Sequence, residues 1–196
     1  MSDEPKVRRP HVLLGATGSI GVLKLPVYIN ALRALDVDFK VVLTPAADDF
    51  LPGRTLSHVA DVATDAAPGE GHVTLARWAD LVVILPCTAN SLAAIAHGYA
   101  PNLLTTLVLA HRRPLLLFPA MNADMWAAKP VQRNVETLRS DGHRVVAPIS
   151  SPVYEVASGD VVQGIAPPPV KQVLILVRDT LRERMEPPPI CVEMDA

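Results

Sequence analysis

The sequence predicts an α/β fold, a doubly wound parallel sheet held between two layers of helices as a three-layer sandwich. Three observations predict it. Short apolar runs alternate with stretches of helical periodicity along the chain, as repeated strand–helix units require. The runs are apolar throughout rather than alternating, as strands covered on both faces must be. They also stop at Gly15, Pro45, Pro86 and Pro119, just where a helix or ligand loop is needed.

His11-Val12-Leu13-Leu14 is read as the first strand. A helix follows, with Val22, Leu25, Ile29 and Leu32 on one stripe, and Pro26 is expected to kink it because it removes a backbone donor. Phe39-Lys40-Val41-Val42-Leu43 forms the second strand and stops at Thr44-Pro45. Residues 46–76 are less regular, with a helix expected over 54–63 and a loop through Pro68, Gly69 and Gly71. The clearest strand is Ala79-Asp80-Leu81-Val82-Val83-Ile84-Leu85, and helices are expected over 90–96 and 102–110. Leu115-Leu116-Leu117-Phe118 then runs straight into Pro119. Val131, Val135 and Leu138 mark a helix closing at Asp141-Gly142, before a strand His143-Arg144-Val145-Val146. A last helix carries Val170, Leu174, Val177 and Leu181. Residues 1–186 are read as one domain and 187–196, opening on Pro187-Pro188-Pro189, as a proline-rich tail that is disordered or draped on a neighbour.

Composition narrows the function. Aromatics are 4% of the 196 residues and the formal charge is −2, which leaves neither stacking platform nor basic footprint for nucleic acid. No apolar run reaches the length of a membrane span, and the start lacks a signal-peptide pattern. Cys87 and Cys191 are too far apart in sequence to imply a disulfide framework, so a cytoplasmic protein is expected. The six histidines form no metal-ligand spacing, so no metal is expected, and no G-x-S-x-G elbow is present. With 49% hydrophobic residues, the apolar surplus points either to buried subunit contacts or to a sheet covered on both faces.

Gly15-Ala16-Thr17-Gly18-Ser19-Ile20-Gly21 sits between a strand and a helix. Small residues there let backbone amides approach a phosphate at a helix N-terminus. The spacing is G-x-x-G-x-x-G, not the dinucleotide G-x-G-x-x-G. The second strand ends at Thr44 rather than the acidic residue that holds a ribose diol, so a mononucleotide is favoured. The same loop also reads as a helix start capped by Ser19. Thr88-Ala89-Asn90-Ser91 follows the strongest strand, and serves equally as ligand donors or as a helix cap. Pro119-Ala120-Met121-Asn122-Ala123-Asp124-Met125-Trp126 puts an amide side chain at the ligand-facing strand end beside an apolar wall. Asn122 can donate to a carboxylate, or simply occupy a turn.

With these motifs in view, the chain resembles the homo-oligomeric flavin-containing cysteine decarboxylases over roughly residues 11–165. The resemblance rests on the Gly-Ser loop, His72 with Arg77-Trp78-Ala79-Asp80, Thr88-Ala89-Asn90, and the P-x-M-N-x-x-M-W element from Pro119 to Trp126. It implies a flavodoxin-like, Rossmann-like fold, a single flavoprotein domain, bound FMN, and a site shared between subunits of a homotrimer, often assembled into a homododecamer. One branch of that family decarboxylates phosphopantothenoylcysteine in coenzyme A synthesis. The other oxidatively decarboxylates the C-terminal cysteine of a lantibiotic precursor peptide, giving the aminoenethiol for aminovinyl-cysteine rings. Arg77-Trp78-Ala79-Asp80, Val108-Leu109-Ala110-His111 and Arg133-Asn134-Val135-Glu136 resemble the second, mersacidin-type branch.

In Val156-Ala157-Ser158-Gly159-Asp160, Ser158 stands where the coenzyme A branch carries a proton-donating cysteine. A hydroxyl is far less acidic than a thiol, so the product is expected to stay oxidised unless Cys87 or Cys191 substitutes. The resemblance further implies that Gly18, Ser19 and Thr44 hold the phosphate, and that Phe50, Thr88, Ala89, Asn90, Ser91, Ala120 and Met121 contact the rest of the cofactor. His72 is then the base and Asn122 the carboxylate holder. Met125 lines the pocket, and residues 154–164, with Tyr154, Ser158 and Gly159, clamp the peptide. The remaining alternatives are a phosphopantothenoylcysteine decarboxylase, a non-catalytic regulatory flavoprotein and, more distantly, a flavin prenyltransferase, against which the His72 and Asn122 elements argue.

Overall fold

The computed structural model describes residues 8–155 and 158–185. The expected tail over 187–196, with Cys191, lies outside them. The strands are β1 (His11–Ala16), β2 (Asp38–Leu43), β3 (Asp61–Ala63), β4 (Leu81–Cys87), β5 (Leu116–Pro119), β6 (Met121–Asn122), β7 (Arg144–Val145), β8 (Ile149–Glu155) and β9 (Asp160–Ala166). The helices are α1 (Leu25–Leu32), α2 (Pro45–Phe50), α3 (Gly53–Leu56), α4 (His72–Trp78), α5 (Ala89–Ala96), α6 (Leu103–Ala110), α7 (Ala123–Ala127), α8 (Lys129–Ser140) and α9 (Val170–Met185). A 3₁₀ turn, Ile20–Lys24, precedes α1.

Six strands pair in the order β3-β2-β1-β4-β5-β7, all parallel. The doubly wound Rossmann-like α/β fold is therefore as the apolar runs predict. Alternate residues of each strand face opposite sides, and each side has its own core. Val12, Leu14, Val41, Leu43, Val83 and Phe118 pack with α1 and α9 on one face. Leu13, Val42, Val82, Ile84 and Leu117 pack with α4, α5, α6 and α8 on the other. Leu13, Leu14, Leu81, Ile84 and Phe118 are almost wholly buried, each stabilising the fold by about 1.5–3 kcal/mol relative to exposure.

Several boundaries differ from the sequence reading. Pro26 does not kink a helix: the 3₁₀ turn ends at Lys24, and Pro26 falls in the first turn of α1, where no backbone donor is needed. The helix expected over 54–63 is only the single turn α3, and Asp61–Ala63 is instead the edge strand β3 beside β2. The strongest strand continues through Pro86 to Cys87, with a cis Leu85–Pro86 peptide. The helix stop at Asp141-Gly142 is as read, with Gly142 at φ 86°, a conformation that costs glycine nothing.

A second, antiparallel sheet was not legible in the sequence. It has the order β6-β9-β8, with Asn122 opposite Gly164 and Glu155 opposite Asp160. Gly164 is required there sterically, since a Cβ would lie 2.4 Å from Cγ2 of Val153. The segment 119–122 thus leaves the parallel sheet and enters the antiparallel one within a few residues.

At the opposite, N-terminal edge of the parallel sheet, Asp80 gathers cations. Arg8 donates to both its oxygens at 2.8 and 2.9 Å, Arg113 approaches to 3.2 Å, and the His11 backbone N–H donates at 2.8 Å. Burial alone would raise the Asp80 pKa; the His11, Arg8 and Arg113 contacts outweigh it, leaving it lowered. Arg184, near the end of α9, donates to the carbonyls of Asp80 and Pro114, both at 2.6 Å. His111 is buried nearby, with Nδ1 3.0 Å from the Ala76 carbonyl and Nε2 lacking a partner among the described residues. Among these residues no helix is long and apolar enough to cross a membrane.

Burial lowers the pKa of both His111 and His143. The unfolded chain therefore takes up protons first as pH falls below about 6.5, the ordinary histidine value. Stability is present above that value and declines below it, well before Asp80 titrates. A thermal melt followed by circular dichroism should show a lower Tm at pH 5 than at pH 7.5; an unchanged or higher Tm would contradict this account.

Candidate active site

The strand order reverses between β1 and β4, so the loops that follow them diverge and leave a crevice at the carboxyl end of the sheet. Thr17 joins the two loops. Its backbone N–H and its hydroxyl both donate to the Pro86 carbonyl, at 3.1 and 2.9 Å, and its oxygen accepts from the Thr88 N–H at 2.9 Å. Thr17 is 1% exposed. Thr44 closes the other side: its N–H donates to the Ala16 carbonyl at 3.1 Å, and its hydroxyl caps α2 by accepting from Ala47.

Gly18 is held between them. A Cβ there would lie 2.4 Å from that of Ala46 and 3.0 Å from its carbonyl carbon, so the loop reaches α2 only with glycine. The Gly18 N–H has no acceptor among the described residues. Ser19 caps the 3₁₀ turn by accepting from the Gly21 N–H at 3.1 Å. Thr88 caps α5, accepting from the Ser91 N–H at 3.3 Å and donating to the Ser91 hydroxyl at 3.1 Å. Ser91 is buried, while Asn90 is exposed beside it. Thus the cap reading holds, and the hydroxyls that start the helices stand around one small-residue loop. Backbone N–H groups and neutral hydroxyls at helix starts suit a phosphate monoester, so the residues fit the phosphate end of FMN. Phe50 is 38% exposed at the end of α2.

A cavity of about 470 Å³ opens beside this loop, within the range of small-ligand sites. Ser19, Ile20, Gly21, Lys24 and Tyr28 form one wall, and Pro86, Ala120, Met121 and Asn122 form its base. The antiparallel sheet covers it with Pro152, Val153, Tyr154, Glu155, Val162 and Ile165. Among the described residues, Lys24 and Glu155 are the only charged ones lining it. Tyr28, which the sequence reading missed, is 7% exposed. Burial raises its pKa, so the phenol stays protonated at neutral pH and remains a donor.

Asn122 lies where the two sheets meet. The Ala120 N–H donates to the Cys87 carbonyl at 2.9 Å, tying the segment to β4, and Asn122 then pairs with β9. Its Oδ1 caps α7, accepting from the Asp124 N–H at 2.7 Å and more weakly from Met125 at 3.4 Å. That fixes the amide orientation, so Nδ2 is the group left to meet a ligand, and it donates to Oε1 of Glu155 at 3.1 Å. Oε2 of Glu155 accepts from the Ser158 hydroxyl at 2.8 Å. Gly159 completes the β8–β9 turn at φ 74°.

Of the expected residues, Ser19, Ala120, Met121, Asn122 and Tyr154 line the cavity. Gly18, Thr44, Thr88, Ala89 and Ser91 cluster at the adjoining loops. Met125 is 48% exposed on α7. His72 is exposed at the first position of α4 and does not line the cavity. Cys87 is wholly buried, and burial raises its thiol pKa well beyond the neutral range. Among the described residues, no group of three or more His, Cys, Asp or Glu is placed to hold a metal ion.

Comparison with known proteins agrees with this geometry. Residues 1–181 match the flavoprotein family. The chain is 38% identical over 152 residues to mersacidin decarboxylase of Bacillus sp. (strain HIL-Y85/54728), covering 76% of this chain and 78% of that protein. It is 36% identical over 152 residues to the coenzyme A biosynthesis bifunctional protein CoaBC of Haemophilus influenzae, covering 74% of this chain but 38% of that longer protein. Among solved structures, a variant of EpiD complexed with the substrate peptide DSYTC superposes with a TM-score of 0.79 at 26% identity, covering 87% of this chain and 99% of that one. A PPC decarboxylase variant complexed with pantothenoylaminoethenethiol gives 0.77 at 31%, covering 89% and 100%.

The Thr17 bridge yields a direct test. Thr17→Val keeps the shape but leaves a buried carbonyl one donor short and the Thr88 N–H without its acceptor. A loss of about 2–4 kcal/mol in denaturant unfolding is expected, from two groups at about 1–3 kcal/mol each less partial rescue by water. Flavin titration of the same variant should show weakened binding, because both loops lose their common anchor. Wild-type stability together with wild-type flavin affinity would remove Thr17 from this role.

Proposed function

The chain belongs to the flavoprotein family of flavin-dependent cysteine decarboxylases, with FMN as cofactor, and on that premise we propose that it oxidatively decarboxylates the C-terminal cysteine of a ribosomally made precursor peptide. The product is an aminoenethiol, the precursor of an aminovinyl-cysteine ring in lantibiotic-like biosynthesis. The observation that carries this reading is the absence of an acidic thiol at the cavity among the described residues. Ser158 supplies a hydroxyl to Glu155, and Cys87 is sealed inside β4 with its thiol held protonated. With no thiol among the described residues to return a proton to the enethiol, the product keeps its oxidised state.

The cavity lining supports a peptide over phosphopantothenoylcysteine. Its walls are mostly apolar, with Lys24 as the single cation among the described residues, which suits uncharged peptide side chains better than a phosphate dianion. The similarity to CoaBC keeps phosphopantothenoylcysteine decarboxylation as the second reading.

When bound, FMN supplies a two-electron acceptor. The protein's part is to position and polarise. Nδ2 of Asn122 donates to the substrate carboxylate, with its amide fixed by the α7 cap. Tyr154, Val153 and Val162 exclude water over the cysteine. The substrate loses CO₂ and two hydrogens in total, one as a proton, for which His72 is the base. Its exposure at the start of α4, outside the cavity of its own chain, supports a site shared between copies in a homotrimer or a homododecamer built from trimers. Gly18, Ser19 and Thr44 hold the phosphate, Phe50 and residues 88–91 the rest of the cofactor.

The purified protein should be yellow and should convert a peptide ending in cysteine with loss of both CO₂ and two hydrogens by mass spectrometry. Loss of CO₂ alone would transfer the assignment to the second reading. Asn122→Asp replaces the donor with a like charge, and His72→Asn removes the base. Each should lower turnover at least about 100-fold while leaving the flavin absorption intact; full turnover in either variant would withdraw that residue's role.

A further inference from the structure

We propose that Glu155 is an internal occupant of the substrate-carboxylate position, holding Nδ2 of Asn122 in the empty site and giving it up to the carboxylate of the incoming terminal cysteine. The proposal rests on the reading of Asn122 as carboxylate holder and adds a residue that controls access to it.

Three features of the geometry converge. First, Oδ1 of Asn122 is committed to the α7 cap, so Nδ2 is its only ligand-facing donor group. Second, the partner of Nδ2 is a carboxylate oxygen, Oε1 of Glu155 at 3.1 Å, the same functional group that a peptide C-terminus would present. Third, both residues line the one cavity, so peptide and Glu155 meet at the same place.

The hold is displaceable. Among the described residues no lysine, arginine or histidine makes an ion pair with Glu155. Among those residues, the hydrogen bonds of its carboxylate come from neutral donors, the amide of Asn122 and the hydroxyl of Ser158. A half-buried carboxylate with neutral partners keeps much of its attraction for water. Two carboxylates cannot share the Asn122 amide without repulsion, so substrate arrival moves Glu155 outward. That same movement breaks its contact with Ser158.

The test measures binding to the FMN-loaded protein by calorimetry, using acetyl-tetraalanyl-serine as free acid and as C-terminal amide. Serine removes the reacting thiol, so binding is read without turnover. Wild type should bind the acid more tightly than the amide. Glu155→Gln keeps the side-chain shape and an acceptor for Asn122 but loses the charge, and should bind the acid about three- to tenfold more tightly, the range for one charge-assisted competitor. Its affinity for the amide should stay within about twofold. Glu155→Ala should show the same split, which guards against a peculiarity of the glutamine. A purely structural role for Glu155 would move acid and amide together. If wild type prefers the acid but neither variant binds it more tightly, the proposal falls and Asn122 keeps its assignment. If wild type does not distinguish acid from amide, the carboxylate reading of Asn122 fails and takes the proposal with it.

Discussion

The site depends on one buried hydroxyl. Thr17 bridges the loops after β1 and β4, which the strand order forces apart at the centre of the sheet. A crevice at this point is a property of any doubly wound sheet. Left alone, its two loops would hold their backbone groups toward water and wander independently. Here the Pro86 carbonyl and the Thr88 N–H are both satisfied by the same side chain, so the small-residue loop and the start of α5 move as one body. Thr44, Gly18 and Ser19 are positioned against that body. These loops are therefore preorganised by hydrogen bonds internal to the protein.

Asn122 shows the same economy at the other end of the cavity. A free asparagine amide can flip, and its two faces recognise opposite partners. Capping α7 with Oδ1 removes that ambiguity, and the antiparallel pairing with β9 fixes the backbone beneath it. The small sheet that supplies β9 also covers the cavity, so the element that steadies Asn122 also lines the space above it. Among the described residues Lys24 and Glu155 alone carry charge on the walls, so the cavity offers a ligand shape, apolar contact and a few aimed donors. That is the division of labour expected where a cofactor performs the electron transfer.

Much of this was legible locally. The apolar runs located β1, β2, β4 and β5, because strands buried on both faces have no reason to alternate. The G-x-x-G-x-x-G spacing and Thr44 pointed to a monophosphate loop, and the P-x-M-N-x-x-M-W element marked the strand end that carries Asn122. Misreadings have equally local causes. Leu56, Val59, Ala60 and Ala63 lie at helical spacing, yet the open edge of β2 offers unpaired backbone groups that a strand satisfies better. Ile149–Glu155 mixes serines and a proline with apolar residues, so neither periodicity stands out.

The sequence by itself determined the layered α/β architecture, the family and the cofactor class, because burial patterns and short motifs are encoded over a few neighbouring residues. Tertiary structure decided which polar groups meet. Thr17 and Pro86 are 69 positions apart, Asn122 and Glu155 are 33 apart, and nothing in their neighbours announces either pairing. Such partners are set by strand order and by the junction of two sheets, which depend on the whole chain having folded. For Cys87 the question was decided the same way. Cys87 follows a strand-ending motif and reads as a candidate redox group, but its place inside β4 encloses the thiol and raises its pKa, since a low-dielectric interior disfavours the thiolate.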